Sequence, residues 1–241
     1  MMMLKRFSIL IITALFAVST AMGQSDDSEM SIEESYLQEA IELMIIRETS
    51  RSNSREQKML SLEYIGDALQ RGSTNDELRT TLEYLSLEGT QNKVTEGRRL
   101  MNNFPDVRRQ AAKHLGTVGT KEAKDALIRI CTSDNEPMVL QEAIKSMGTI
   151  GLNDNDDAVN AIVWVMNKFN SGDNPDQLMA IAAIDTLEKL ARKYRKVDAN
   201  TIQVIARIAE GPYYRAVQDR AKQALVNLRR LFAAQQQQQG N

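Results

Sequence analysis

"PDVRRQAAKHLGTVG", residues 105–119, decides the fold. A proline opens the stretch, small and apolar residues recur through it, and a glycine closes it. Set on a helix at about 100° per residue, Val107, Ala111, Leu115 and Val118 fall on one stripe, with Arg109, Lys113 and Thr117 opposite. Pro105 suits a first helical turn, where its missing N–H is not needed, and Gly119 suits the left-handed residue that ends a helix. Gly116 carries no side chain, so a neighbouring helix can approach closely there. The stretch therefore reads as a helical building block, and its glycines as caps and packing positions.

The same block recurs. "PMVLQEAIKSMGTIG" (137–151) matches it position for position, and "REQKMLSLEYIGDAL" (55–69) matches with Ile65 and Gly66 over Leu115 and Gly116. Looser copies are "LMAIAAIDTLEKLA" (178–191) and "YRAVQDRAKQALVNL" (214–228). The four prolines, 105, 137, 175 and 212, each stand at the head of a copy, 32, 38 and 37 residues apart. Between the copies lie partner helices that align with one another: "DALIRIC" (125–131), "NAIVWVM" (160–166), "QVIARIA" (203–209) and, more faintly, "TTLEYLS" (80–86). A first helix is expected near 31–51, with Ser31 and Glu34 at capping-box spacing, a signature that Thr74 and Glu77 repeat. No segment alternates as a strand would. The expectation is an all-α superhelix of about ten helices in five antiparallel pairs over 31–231, because a single pair cannot bury its apolar face alone.

These residues carry a family resemblance. "PDVRRQAAKHLGTVG" followed by "TKEAKDALIRICTS" resembles the HEAT repeat, in the short bacterial HEAT-like form known from phycobilin lyases. The resemblance is strongest over 105–151. It implies a protein-binding scaffold whose second helices line the concave side of an α-solenoid. It also implies a ladder role for the Asp106/Arg108 pair, which "PMVLQ" and "PDQLM" do not continue.

The ends are read from composition. Lys5 and Arg6, an apolar run from Phe7 to Ala17 and the small residues at Ala21 and Gly23 have the form of a secretory signal peptide over 1–23, followed by a linker at 24–30. A periplasmic protein is expected. Beyond Gly23 there are 28 basic and 32 acidic residues, a balance that argues against nucleic acid. The tail at 232–241, rich in glutamine, is expected to be disordered. One cysteine cannot pair within the chain.

Chemistry is sparse. His114 and Cys131 are the only residues of their kinds, yet equivalent slots hold Tyr64, Ser146, Thr186 and Ala224 for the first, and Ser86, Met166 and Ala209 for the second. Both read as packing positions, and no catalytic, cofactor or metal residues are assigned. Asp154, Asp156 and Asp157 hint at calcium, but Val159 and Val165 stand where an EF-hand loop needs glycine and glutamate. The segment 89–104 is long for a connection and is read as a functional loop or a degenerate surface helix.

Charge is polarised. Residues 24–104 hold 16 acids and 9 bases, and residues 186–230 hold 4 acids and 11 bases. A binding strip is expected from Glu63, Asp67, Arg109, Lys113, Gln141, Lys145, Asp185 and Lys189, with Arg192, Lys193 and Lys196 beside Lys189 on one helix face. A protein partner is the first expectation. An anionic glycan or lipid headgroup at the basic end is the alternative, and head-to-tail association of copies is a further possibility the charges allow.

Overall fold

A computed structural model describes residues 32–239, apart from the side chains at 32, 35, 232 and 234–239. The expected leader at 1–23, the linker at 24–30 and Ser31 lie outside the described residues. The chain divides into a unit that ends at Ala40 and a unit from Ile41 onward. The described part of the first is the opening of helix α1 (Ile32–Arg51), which carries Glu33 and Glu34 in its first turn.

From Ile41 the second unit continues α1 and then runs through α2 (Arg55–Gln70), α3 (Asp76–Ser86), α4 (Pro105–Val118) and α5 (Lys121–Ser133). After these come α6 (Pro137–Ile150), α7 (Asp157–Phe169), α8 (Gln177–Tyr194), α9 (Ala199–Glu210) and α10 (Arg215–Gln239). Ten α-helices among the described residues match the expected number. Helices α2, α4, α6, α8 and α10 pack one on the next in one layer, and α3, α5, α7 and α9 do so in the other. This is the two-layer stack of a HEAT-like solenoid.

Local chemistry sets the helix ends. Pro105 and Pro137 each occupy the first turn of a helix whose end is a left-handed glycine, Gly119 (φ 74°) and Gly151 (φ 66°). Pro175 and Pro212 stand outside their helices; Asp176 is the N-cap of α8, its carboxylate accepting from Met179 N–H at 2.8 Å. The cap of α3 is Asn75, which accepts from Glu77 N–H at 2.9 Å, so Thr74 is not the capping residue the Thr74/Glu77 spacing suggested. An asparagine at N-cap competes well with threonine because its side-chain oxygen reaches the same orphan donors. Helix α10 is continued to Gln239, through most of the stretch for which composition predicted disorder. Glutamine is a fair helix former, and extending an existing helix needs no new nucleus.

The stripe of α4 is buried as the spacing predicts: Val107, Ala111 and Leu115 are fully buried, and Arg109, Lys113 and Thr117 face solvent. The contact between successive helices of one layer is set by a small residue. A Cβ at Gly116 would lie 2.8 Å from Ser146 Oγ and 3.1 Å from Ser146 Cα. A Cβ at Gly148 would lie 2.7 Å from Thr186 Oγ1, and one at Gly66 would lie 2.8 Å from the His114 ring. Each glycine thus receives the residue that occupies the His114 slot in the next copy.

The segment 89–104 holds neither a helix nor an open loop. It forms a two-stranded hairpin, β1 (Thr95–Glu96) and β2 (Arg99–Leu100), paired antiparallel, with Gly97 (φ 60°) in the turn. No period-two pattern announced it, because two-residue strands are too short to show one. Its root is closed by Asn102, whose amide donates to Glu88 Oε1 and to the Asn92 carbonyl, each at 2.6 Å.

The register makes a prediction. Leu115→Ala should lower stability by about 2–5 kcal/mol, whereas Lys113→Ala should stay within about 0.5 kcal/mol of wild type. Gly116→Ala should also destabilise, although alanine is the better helix former by about 1 kcal/mol, because Ser146 leaves no room for a methyl group. Chemical denaturation of the three variants checks this; a stabilising Gly116→Ala would mean that the helices are not in close approach there.

Candidate functional site

The layer of α2, α4, α6, α8 and α10 presents the residues expected to bind. In the slot of Lys113 lie Glu63 on α2, Lys145 on α6 and Asp185 on α8, and in the slot of Thr117 lie Asp67, Thr149 and Lys189. All seven, with Lys113, are exposed. Arg109 is exposed and Gln141 half-buried in a neighbouring row. The glycine contacts fix this alignment, because His114, Ser146 and Thr186 directly follow Lys113, Lys145 and Asp185 in sequence.

Grooves run between adjacent helices of the layer. One of about 690 Å³ lies between α2 and α4, with Met59, Leu60 and Leu62 among its walls and Glu63 and Asp67 at its edge. One of about 320 Å³ lies between α6 and α8, with Leu178, Ile181 and Ala182 on one side and Gln141, Lys145 and Lys189 beside them. A third, of about 360 Å³ between α8 and α10, is lined almost wholly by polar side chains, including Asp185, Glu188, Arg192 and Arg220.

Most charges at the basic end are already committed. Glu188 stands in the slot that Gly66, Gly116 and Gly148 occupy in earlier copies. It accepts from Arg192, from Arg220 at 2.7 Å and from Asn227 at 2.7 Å, and Arg220 also pairs with Asp185 at 2.6 Å. Burial opposes ionisation of Glu188, but the hydrogen bonds from Arg220 and Asn227 and the charges of Arg220 and Arg192 outweigh it, holding its pKa below the usual carboxylate value.

Lys196 does not share the face of Lys189, whereas Lys193, one turn on in the same helix, does. Helix α8 stops at Tyr194, and Arg195 turns into the left-handed region (φ 49°), so the spacing that aligned Lys196 no longer applies. Lys193 donates to the Gly151 carbonyl at 2.7 Å and Lys196 pairs with Asp156, so both serve the turn between α6 and α7. Among the described residues, Glu63, Asp67, Lys113 and Lys189 have no ion pair and no side-chain hydrogen bond. Arg109 and Lys145 are each 3.6 Å from Glu142.

The remaining candidates resolve into structure. Cys131 is fully buried, and burial pushes its thiol up to about 12. His114 is packed on Gly66, and its Nε2 lies 2.9 Å from the Gln110 amide nitrogen; burial, with Lys113 nearby, lowers its pKa. The three aspartates at 154–157 meet lysines. Fully buried Lys124 reaches Asp154 at 3.2 Å and also pairs with Asp157, while Asp156 takes Lys196.

The ladder is the feature that residue patterning missed. Arg108, fully buried, makes two hydrogen bonds to Asp134, at 2.6 and 3.2 Å, and donates to the Glu88 carbonyl at 3.0 Å and to Asn103 at 2.9 Å. Asp106 pairs with Arg55 on α2, so each member of the Asp106/Arg108 pair bonds to a residue outside its own helix. Lys58 fills the same slot on α2. It donates to the Ser50 carbonyl at 2.9 Å and pairs with Glu88 at 3.1 Å. The sequence did carry a signal: aligning 55–69 with 105–119 puts a base at 58 and at 108. Leu140 breaks the series in the next copy, as "PMVLQ" implied.

Comparison with known proteins gives the fold a context. Residues 98–170 match the family model of HEAT repeats. Among solved structures, the chain is similar to one in the complex of CpcE and CpcF of phycocyanin lyase from Nostoc sp. PCC7120, with a TM-score of 0.54 and 17% identity. The similarity covers 78% of this chain and 64% of that one, less than two thirds of its length. No curated protein matches the sequence. At this identity the shared property is the solenoid itself.

The thiol supplies a direct check. Cys131 should resist a disulfide-exchange reagent at pH 8 in the native protein and react quickly in denaturant, since the thiolate is the reactive form. Fast labelling of the folded protein would reopen a role for Cys131.

Proposed function

We propose that the protein is a non-enzymatic interaction scaffold, exported to the periplasm, that holds a protein partner on the face built by α2, α4, α6, α8 and α10. The observation that carries this reading is the aligned row of exposed polar side chains over grooves with apolar walls, in a chain whose histidine, cysteine and aspartate cluster are spent on packing and ion pairs. A stack of repeats offers a long surface of this kind, and binding to proteins is its usual use. HEAT repeats, and a similar solenoid solved in a complex of two subunits, support an adaptor role.

The reading of an anionic glycan or lipid headgroup at the basic end draws less support. Arg192 and Arg220 already neutralise Glu188 and Asp185, so the α8–α10 groove holds little free positive charge. Export rests on the composition of residues 1–23.

Two measurements test the proposal. A photo-crosslinking residue in place of Lys145 should give protein adducts of discrete mass in cells, and one in place of Lys168, which is exposed on α7 in the other layer, should not. Adducts from Lys168 alone, or from neither, would remove the binding face. Separately, the mature chain should begin at or near Gln24 and fractionate with periplasmic contents; an intact mass that retains Met1 would overturn the compartment.

A further inference from the structure

Within the proposed binding face, the charges left without internal partners are not evenly spread. On α2, Glu63 and Asp67 stand four residues apart and line the α2–α4 groove, with no ion pair among the described residues. Like charges at this spacing disfavour a helix by about 0.2–0.5 kcal/mol. Several carboxylates nearby are paired instead: Glu42, Glu77, Glu83, Glu88 and Asp106 each have a cation. From α4 onward the open charges are positive. Lys113 and Lys189 have no partner, and Lys145 lies 3.6 Å from a carboxylate it shares with Arg109. Asp185, the acid on this stretch, is held by Arg220 at 2.6 Å.

The face therefore changes sign between α2 and α4 and stays positive to α8. We infer that its partner is a polypeptide segment of opposite polarity, with a cationic end seated over Glu63 and Asp67 and acidic residues set over Lys113, Lys145 and Lys189. Packed helices are about 8–10 Å apart, and an extended chain advances about 3.3 Å per residue. Acidic residues at every third position thus meet successive lysines, and a segment of about ten residues crosses from α2 to α8. Apolar side chains between the charges find Met59 and Leu60 in one groove and Leu178 and Ile181 in another. Leu60 (41%) and Leu178 (60%) are exposed until something covers them.

This inference rests on the scaffold reading and adds the chemistry of the partner. The test uses the mature full-length chain and three fluorescent twelve-residue synthetic peptides of equal length and apolar content. One is bipolar (a lysine-rich end, then an acid at every third residue), one carries only acids and one only bases. The bipolar peptide should bind at least about tenfold more tightly than either uniform peptide, a difference of about 1.4 kcal/mol, and should weaken as salt rises. Glu63→Lys with Asp67→Lys should erase its advantage and make the acidic peptide the best ligand. Lys113→Glu with Lys189→Glu should instead favour the basic one. Both pairs are surface positions without internal partners, and thermal melts confirm that the variants fold. Equal binding of the three peptides, binding of none, or a preference that survives both reversals would overturn the inference, as would self-association abolished by the same reversals. Such a failure with Lys145 crosslinks intact would remove the polarity and leave the scaffold; loss of the crosslinks would remove the scaffold reading itself.

Discussion

The close approach of each helix to the next one in its layer is the constraint on which the rest depends. It is secured where a side chain is missing. Gly66, Gly116 and Gly148 each take the side chain of the following copy into the space a Cβ would fill, and the receiving residues differ freely: a histidine ring, a serine and a threonine. That freedom accounts for a lone histidine at position 114 as a packing residue. The slot asks only for something that fits over glycine and tolerates burial, complete for Ser146 and Thr186 and partial for His114. It also explains why Thr186 can turn its hydroxyl to the Ile144 carbonyl at 3.1 Å, satisfying a polar group that the tight contact would otherwise strand. At the end of the series Glu188 replaces the glycine, and the α8–α10 contact becomes one of ion pairs and amides.

A second constraint runs through the loops. Buried Lys58 and Arg108 each bridge two helix ends: the end of α1 (Ser50) and the residues after α3 (Glu88) for Lys58, and the residues after α3 (Glu88) and after α5 (Asp134) for Arg108. The charges are paid for by several hydrogen bonds apiece, the condition under which a buried ion pair is tolerated. Removing one member would leave the other buried and uncompensated. This ladder also holds the hairpin at 89–104 in place, since Glu88 accepts from both Lys58 and Asn102. Where Leu140 takes the slot, apolar packing does the same work. Further along, Asn170 bonds both backbone groups of Asp176 and its carbonyl accepts from Tyr213.

The fold was legible because helices announce themselves by period, and repeats by recurrence. Val107, Ala111 and Leu115 are buried where a 3.6-residue period puts them, and Gly119 and Gly151 end helices as their lack of a Cβ allows. Interactions between units were legible only in part. The resemblance marks Asp106 and Arg108 for a ladder but not their partners: Arg108 finds Asp134, 26 residues away, and residue type alone does not say which carboxylate a buried arginine will find. Lys196 reads as part of a basic face with Lys189 and Lys193 only if the helix is extrapolated past Tyr194. A left-handed residue at Arg195 ends it and sends Lys196 to Asp156, while Lys193, still on the helix, reaches the Gly151 carbonyl of the same α6–α7 turn. The hairpin was hidden for a different reason, its strands being too short to impose a pattern.

Charges on the α2–α8 face are used differently from those buried between units. In the ladder, at Glu188 and in the aspartate turn, each charged side chain closes an internal account: a loop end, a helix junction, a neighbouring acid. Those groups are conformationally held, and a partner that sought them would have to break an existing bond first. Glu63, Asp67, Lys113 and Lys189 carry no such cost. They are ordered by the helices beneath them, stand beside apolar grooves, and interact with one another only across solvent, where screening keeps the coupling weak. A face of this kind contributes little to folding and is ready to contribute to recognition, because charges arranged on a rigid support set the register and orientation of a partner more than its raw affinity. The solenoid therefore uses its ionic groups in two ways: those buried between units hold the stack together, and Glu63, Asp67, Lys113 and Lys189 on the α2–α8 face are left without internal partners.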